Sequence, residues 1–162
     1  MSSALTSWKD AERACFNYLI EITDSAEGDT AWLGDSLPAY TMNIFAFNVS
    51  GGSTQTQNFQ RSAPCCQWLA NAVLIAQFAE REYALDFAGK IMNRMPAYKN
   101  DDNNPSGSPA ERGLAPNVNL FEMTEFPVLD SRPLLTDSED DEEITVWMLL
   151  MNFRVEFGNE QN

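Results

Sequence analysis

The sequence predicts an α+β fold, a mostly antiparallel sheet with two helices packed on one face and long loops. Three observations predict it. Two segments repeat apolar residues at three-to-four spacing, the mark of an amphipathic helix. Four others alternate at a spacing of two or are built of β-formers. Runs rich in Pro, Gly, Asn and Ser separate them. The expected order is helix, strand, strand, helix, strand, strand, and helices gathered on one face of such a sheet make a two-layer sandwich.

The first helix is expected over 8–22, where Trp8, Ala11, Cys15, Tyr18, Leu19 and Ile22 form one stripe and Lys9, Asp10, Glu12 and Arg13 lie between them. Asp24, Ser25 and Gly28 end it. A polar loop punctuated by Gly34 and Pro38 follows. Residues 40–49 are rich in β-formers and read as a strand, closed by the turn signal Ser50-Gly51-Gly52-Ser53. Residues 66–78 are ambiguous. Pro64 and the alanines suit a helix, whereas Leu69, Asn71, Val73, Ile75 and Gln77 alternate with Trp68, Ala70, Ala72, Leu74, Ala76 and Phe78. Periodicity alone does not separate the two. The strand reading is preferred, because a much clearer helix starts directly afterwards. That helix covers 80–95, with Tyr83, Ala84, Phe87, Ala88, Ile91 and Met95 on one stripe and Pro96 as its stop.

A long loop is expected over 99–116, of a length usually tied to function or flexibility. Residues 118–126 alternate and stop at Pro127. The block 137–143 then holds six carboxylates in seven positions, and it launches the longest strand, 144–157. On one side of that strand lie Trp147, Leu149, Met151, Phe153, Val155 and Phe157. The other side begins with Ile144, Val146, Met148 and Leu150 and turns polar at Asn152, Arg154 and Glu156. Its first half is therefore expected to bury both faces. A short tail, 158–162, completes a chain of 162 residues, the size of one domain spanning 1–162.

Composition narrows the chemistry. The net charge is −14, with ten basic residues against 24 acidic ones. That balance argues against gripping nucleic-acid phosphates, which takes clustered Lys and Arg. Histidine is absent. The commonest general base and metal ligand are thereby missing, as is every triad built on imidazole. Three cysteines, two of them the adjacent pair Cys65-Cys66, fit a reducing compartment and buried or idle thiols. Cys15 lies on the apolar stripe of the first helix. The start of the chain lacks the features of a secretory signal, and the weakly charged stretch 63–79 carries Gln67, Asn71 and Gln77, too polar to cross a bilayer comfortably. The triplet Asn48-Val49-Ser50 is taken as a chance glycosylation match.

No catalytic, cofactor-binding or metal site is expected. The acidic block has no glycine for a tight turn and no spaced Asp-x-Asp pattern, so it reads as a solvated charge run. Glu122 and Glu125 are not distinguished from the other acids. No phosphate-cradling glycine loop and no Gly-x-Ser-x-Gly elbow occurs. The four tryptophans, Trp8, Trp32, Trp68 and Trp147, read as core or subunit-interface residues.

The order of elements resembles the tail terminator and neck terminator proteins of tailed bacteriophages. The resemblance rests on the opening helix 8–22, the strand 40–49, the strand 68–78 running straight into the helix 80–95, the strand 118–126, and the terminal 147–157 with Phe153-Arg154-Val155-Glu156-Phe157. It implies a structural virion protein that forms a homo-oligomer, a hexameric ring. Such a ring caps the tail tube and joins it to the head–tail connector, in the tail or neck of the virion, after synthesis in the host cytoplasm. It implies no cofactor and no membrane. DNA passes through the bore without being specifically bound, and surplus negative charge on the inner wall repels it. The expected subunit contact is Asn152, Arg154 and Glu156 together with the loop residues Asn100, Asp101 and Asp102. The alternative is an acidic monomeric binding protein that imitates nucleic acid to inhibit a nucleic-acid enzyme. That alternative requires carboxylates spread over one face rather than gathered in one block. An enzyme of unrecognised type is a third reading, opposed by the lack of histidine and of any activated nucleophile.

Overall fold

The structure is a computed structural model that describes residues 8–38, 41–50, 67–95, 118–134 and 144–158. Its elements are α1 (Trp8–Thr23), β1 (Ala31–Leu33), β2 (Ile44–Val49), β3 (Gln67–Phe78), α2 (Arg81–Arg94), β4 (Val118–Met123), β5 (Val128–Leu134) and β6 (Ile144–Gly158). The sheet runs β1-β2-β3-β6-β4, and β5 joins it by pairing with β6. Every pairing is antiparallel except β1 with β2. The fold is α+β, with both helices packed on the sheet.

Register explains the core. Residues paired directly across a sheet share a face. The rows Phe47–Leu74–Met151, Val49–Ala72–Phe153 and Phe45–Ala76–Leu149 therefore point one way, and every member is buried. They meet Ala11, Cys15, Tyr18, Leu19 and Ile22 of α1 and Ala84, Ala88 and Ile91 of α2 in one apolar cluster. Aromatic edges knit it together. Phe121 lies 5.1 Å from Phe153, 5.8 Å from Phe47 and 6.3 Å from Tyr18 between ring centroids. The alternating small residues of β3 (Ala70, Ala72, Ala76) leave room for those rings.

α1 ends in a left-handed residue, Asp24, at φ 57°. Ser25 N–H bonds back to Ile20 C=O at 3.0 Å and Asp24 N–H to Glu21 C=O at 3.4 Å, the paired bonds of a Schellman ending. Arg94 of α2 closes the same end. Its Nη1 donates to the Ile22 carbonyl and lies 3.5 Å from Asp24 Oδ2. The start of α1 is tied to the far end of β2. Trp8 Nε1 donates to Val49 C=O at 2.9 Å, and Val49 N–H donates to Glu12 Oε2 at 2.9 Å. β1 pairs only with 45–47, so these two side chains, one helical turn apart, satisfy the Val49 backbone where β1 has ended.

Several expectations meet the structure differently. Residues 67–78 form a strand throughout, as preferred. The strand expected over 40–49 starts at Ile44, after Asn43 at a positive φ of 60°, and Tyr40 lies outside the described residues. Two strands were not foreseen. β1 sits inside the expected polar loop, and β5 contains Asp130, Ser131, Arg132 and Pro133, a composition that reads as a turn. β6 reaches Gly158, one residue into the expected tail. The loop 99–116 and the acidic block 137–143 lie outside the described residues, as do Cys65 and Cys66.

Candidate subunit interface

The sheet face away from the helices is the candidate site. Over β2 it is covered by the chain leading into that strand. Asn48 Nδ2 donates to Gly34 C=O at 3.1 Å, and Gln77 Nε2 donates to Pro38 C=O at 2.9 Å. Ile44 and Ala46 are consequently buried on this side too. Over β3, β6 and β5 the face is open. There the register aligns Ile75, Leu150 and Val128 in one row across three strands. Leu150 is 37% exposed and Val128 44%, with Ile144 on the same side of β6 at 45%. Phe126, in the break between β4 and β5, is 77% exposed.

The expectation that the first half of β6 buries both faces is therefore met in part within one chain. Leu149 and Met151 sink beneath the helices, Val146 is buried and Met148 half-buried on the other face, and Ile144 and Leu150 are left partly exposed there. The cause is topological. β6 is flanked by β3 on one side and by β5 and then β4 on the other, and both helices lie on the opposite face.

The expected contact residues divide. Asn152, Arg154 and Glu156 all lie on the open face, beside the apolar row. Asn152 Nδ2 donates to Glu125 Oε1 at 2.7 Å, and Arg154 is ion-paired with Glu122 across the β4–β6 pairing. These side chains thus brace β4 against β6 within one chain. Glu156 is half-buried opposite Leu69. Asn100, Asp101 and Asp102 lie outside the described residues. Sequence reasoning missed Phe126, Val128 and Ile75. Their signal is the register that places them beside Leu150, which the sequence alone does not display.

The described residues hold no cluster of three His, Cys, Asp or Glu side chains placed for a metal ion. No described helix is long and apolar enough to cross a membrane. Cys15 is buried, and its thiol pKa is raised well above the ordinary range, chiefly by burial and secondarily by the nearby Glu12 charge. It stays protonated, and a protonated thiol is neither a nucleophile nor a metal ligand. Comparison with protein-family models and with curated proteins finds no match.

Proposed function

We propose that this chain is a structural virion protein, a ring-forming tail or neck terminator that caps a tail tube and joins it to the head connector. One observation carries the reading. A lone copy leaves Val128, Ile144 and Leu150 partly exposed on one face of the sheet, with half-buried Ile75 in the row Ile75–Leu150–Val128, and Phe126 exposed in the break between β4 and β5. Exposed apolar side chains gathered in this way mark a contact with another protein. In a self-assembling chain that contact recurs from copy to copy and closes into a ring when the rotation allows. The resemblance in element order supplies the kind of ring.

Surplus acid suits the proposed bore. At −14 per copy, an inner wall bearing carboxylates repels passing DNA rather than holding it. The alternative of a nucleic-acid mimic has no observation in its favour among the described residues.

The test is the size and shape of the assembled protein. Purified chain examined by light scattering and negative-stain microscopy, alone and mixed with tube and connector proteins of the same virion, is expected to form six-fold rings. Leu150→Glu, on the partly exposed face, is expected to abolish the rings, with circular dichroism establishing that the variant keeps the fold. A chain that is solitary in both mixtures, and absent from the mature particle, is not a terminator.

A further inference from the structure

We infer that two copies of the chain join edge to edge through β5, antiparallel and centred on Ser131, so that Asp130 of each copy meets Arg132 of the other. Such a contact is two-fold and closes on itself. It goes beyond the ring proposed above, whose head-to-tail contact is a separate one.

The edge is free, and its outward groups can be assigned. Among the described residues β5 has β6 alone as a neighbouring strand. Asn152 C=O accepts from Thr124 N–H at 3.0 Å, so the even-numbered residues of β6 turn their backbone groups toward the side of β4 and β5. The bond from Asn43 N–H to Gln77 C=O, on the β2 side of β3, fixes the same phase independently. Residues along an antiparallel pair alternate between bonded and non-bonded positions. Asp130 and Arg132, opposite Met148 and Val146, therefore bond to β6, and Leu129, Ser131 and Pro133 turn their groups outward. Pro133, which has no N–H, thus stands where an edge strand tolerates it. Ser131 presents a full donor and acceptor beside it.

Charge names the occupant. Asp130 and Arg132 are exposed, two residues apart on the open face. Opposite them on β6 stand the uncharged Val146 and Met148. Neither has an ion-pair partner among the described residues, whereas Arg13, Arg94 and Arg154 each have one. A two-fold axis at Ser131 sets Asp130 against Arg132 twice. The nearest registers that keep the faces aligned are centred on Asp130 or on Arg132, and they set like charge on like charge. Charges and a proline ordinarily keep an edge from pairing. Here their spacing rejects the neighbouring registers and leaves one.

The backbone fits that register. Ser131 N–H and C=O of the two copies bond reciprocally, and Leu129 N–H of each donates to Pro133 C=O of the other. Ser131 and Pro133 lie on the helix side and are exposed, so neither helix overhangs β5 to obstruct a second copy. The ion pairs face solvent, and such pairs select the register more than they add strength.

Charge exchange tests the contact, by sedimentation velocity on the full chain in about 0.15 M salt to screen the net charge. Asp130→Arg and Arg132→Asp each set like charges together at both symmetric positions. Each is expected to raise the dissociation constant for pairing at least about tenfold, and to sediment at half the wild-type mass. Asp130→Arg also reduces the net negative charge, so its loss of pairing does not come from general repulsion. An equimolar mixture of the two variants restores opposite charges at both positions and is expected to recover the wild-type mass, as is the double exchange in one chain. Circular dichroism establishes that each variant folds, with Asp130→Lys and Arg132→Glu as replacements. Hydrogen exchange across β5, fast in the single chain, is expected to slow as wild type pairs. Variants with the mass of wild type, a mixture that stays unpaired, β5 amides that stay fast in the paired state, or a wild type monomeric at every concentration each overturn the inference. The absolute mass of the variants reports the ring, and its ratio to wild type reports the pair, so the two readings fail separately.

Discussion

At the scale of single residues, Val49 shows how two side chains tie the start of α1 to the sheet. Its N–H and C=O are taken by Glu12 and Trp8, at 2.9 Å each. Removing the Glu12 carboxylate leaves a part-buried donor without its acceptor, a cost of about 1–3 kcal/mol. Glu12→Ala is therefore expected to lower the unfolding free energy by that amount, read as a lower urea midpoint at an unchanged m-value. A fall in m would instead mean that α1 has detached. Cys15 carries a pH signature. Its folded pKa is raised by burial and by Glu12, so the folded state prefers the protonated thiol. That preference contributes in full below the unfolded thiol pKa of about 8.5, and it is lost by about 1.4 kcal/mol per pH unit above it. The penalty for Cys15→Ala, measured by urea unfolding in the absence of oxidant, is accordingly expected to shrink between about pH 8 and pH 10. A constant penalty means that the thiol is not shielded. Mass-mapped alkylation is expected to spare Cys15 until the chain unfolds.

Among the elements, β6 is paired along both edges, whereas β5 has only β6 beside it. Backbone amides with one neighbour and exposed side chains open more readily than those in a sheet centre. Hydrogen exchange followed by mass spectrometry is thus expected to be slowest in β3 and the later half of β6, and fast across β5. Uniform protection would mean that β5 is covered, as the proposed contact between copies would require. The same contrast explains what was legible in the sequence. α1, α2 and β6 carry their pattern within themselves, as stripes or alternation long enough to read. β3 was half legible, since its alanines fit a helix and only pairing with β2 and β6 makes it a strand. β1 is three residues long and exists because β2 lies parallel to it. β5 holds a proline and two charges, which an edge strand tolerates because one row of its backbone groups faces outward. The candidate site was partly legible. The polar turn of β6 at Asn152 was visible, but Ile75, Leu150 and Val128 become one surface only through register, which the turn-like composition of β5 conceals.

For the whole molecule, charge and apolar surface pull in opposite directions. Copies carrying −14 each repel, and six of those charges fall in residues 137–143, next along the chain to the exposed Ile144. If apolar contact drives assembly against that repulsion, screening must strengthen it. The Debye length falls from about 30 Å at 0.01 M to about 8 Å at 0.15 M, enough to shield one copy's field from the next. Wild-type self-association, read by sedimentation equilibrium, is therefore expected to tighten as salt rises between about those two concentrations. A variant with the six carboxylates of 137–143 replaced by Asn and Gln is expected to associate more tightly at low salt and to respond less to added salt. The opposite slope, dissociation on adding salt, would show that ion pairs across the interface outweigh the apolar row. The row Ile75, Leu150 and Val128, with Phe126 beside it, would then not be what drives assembly.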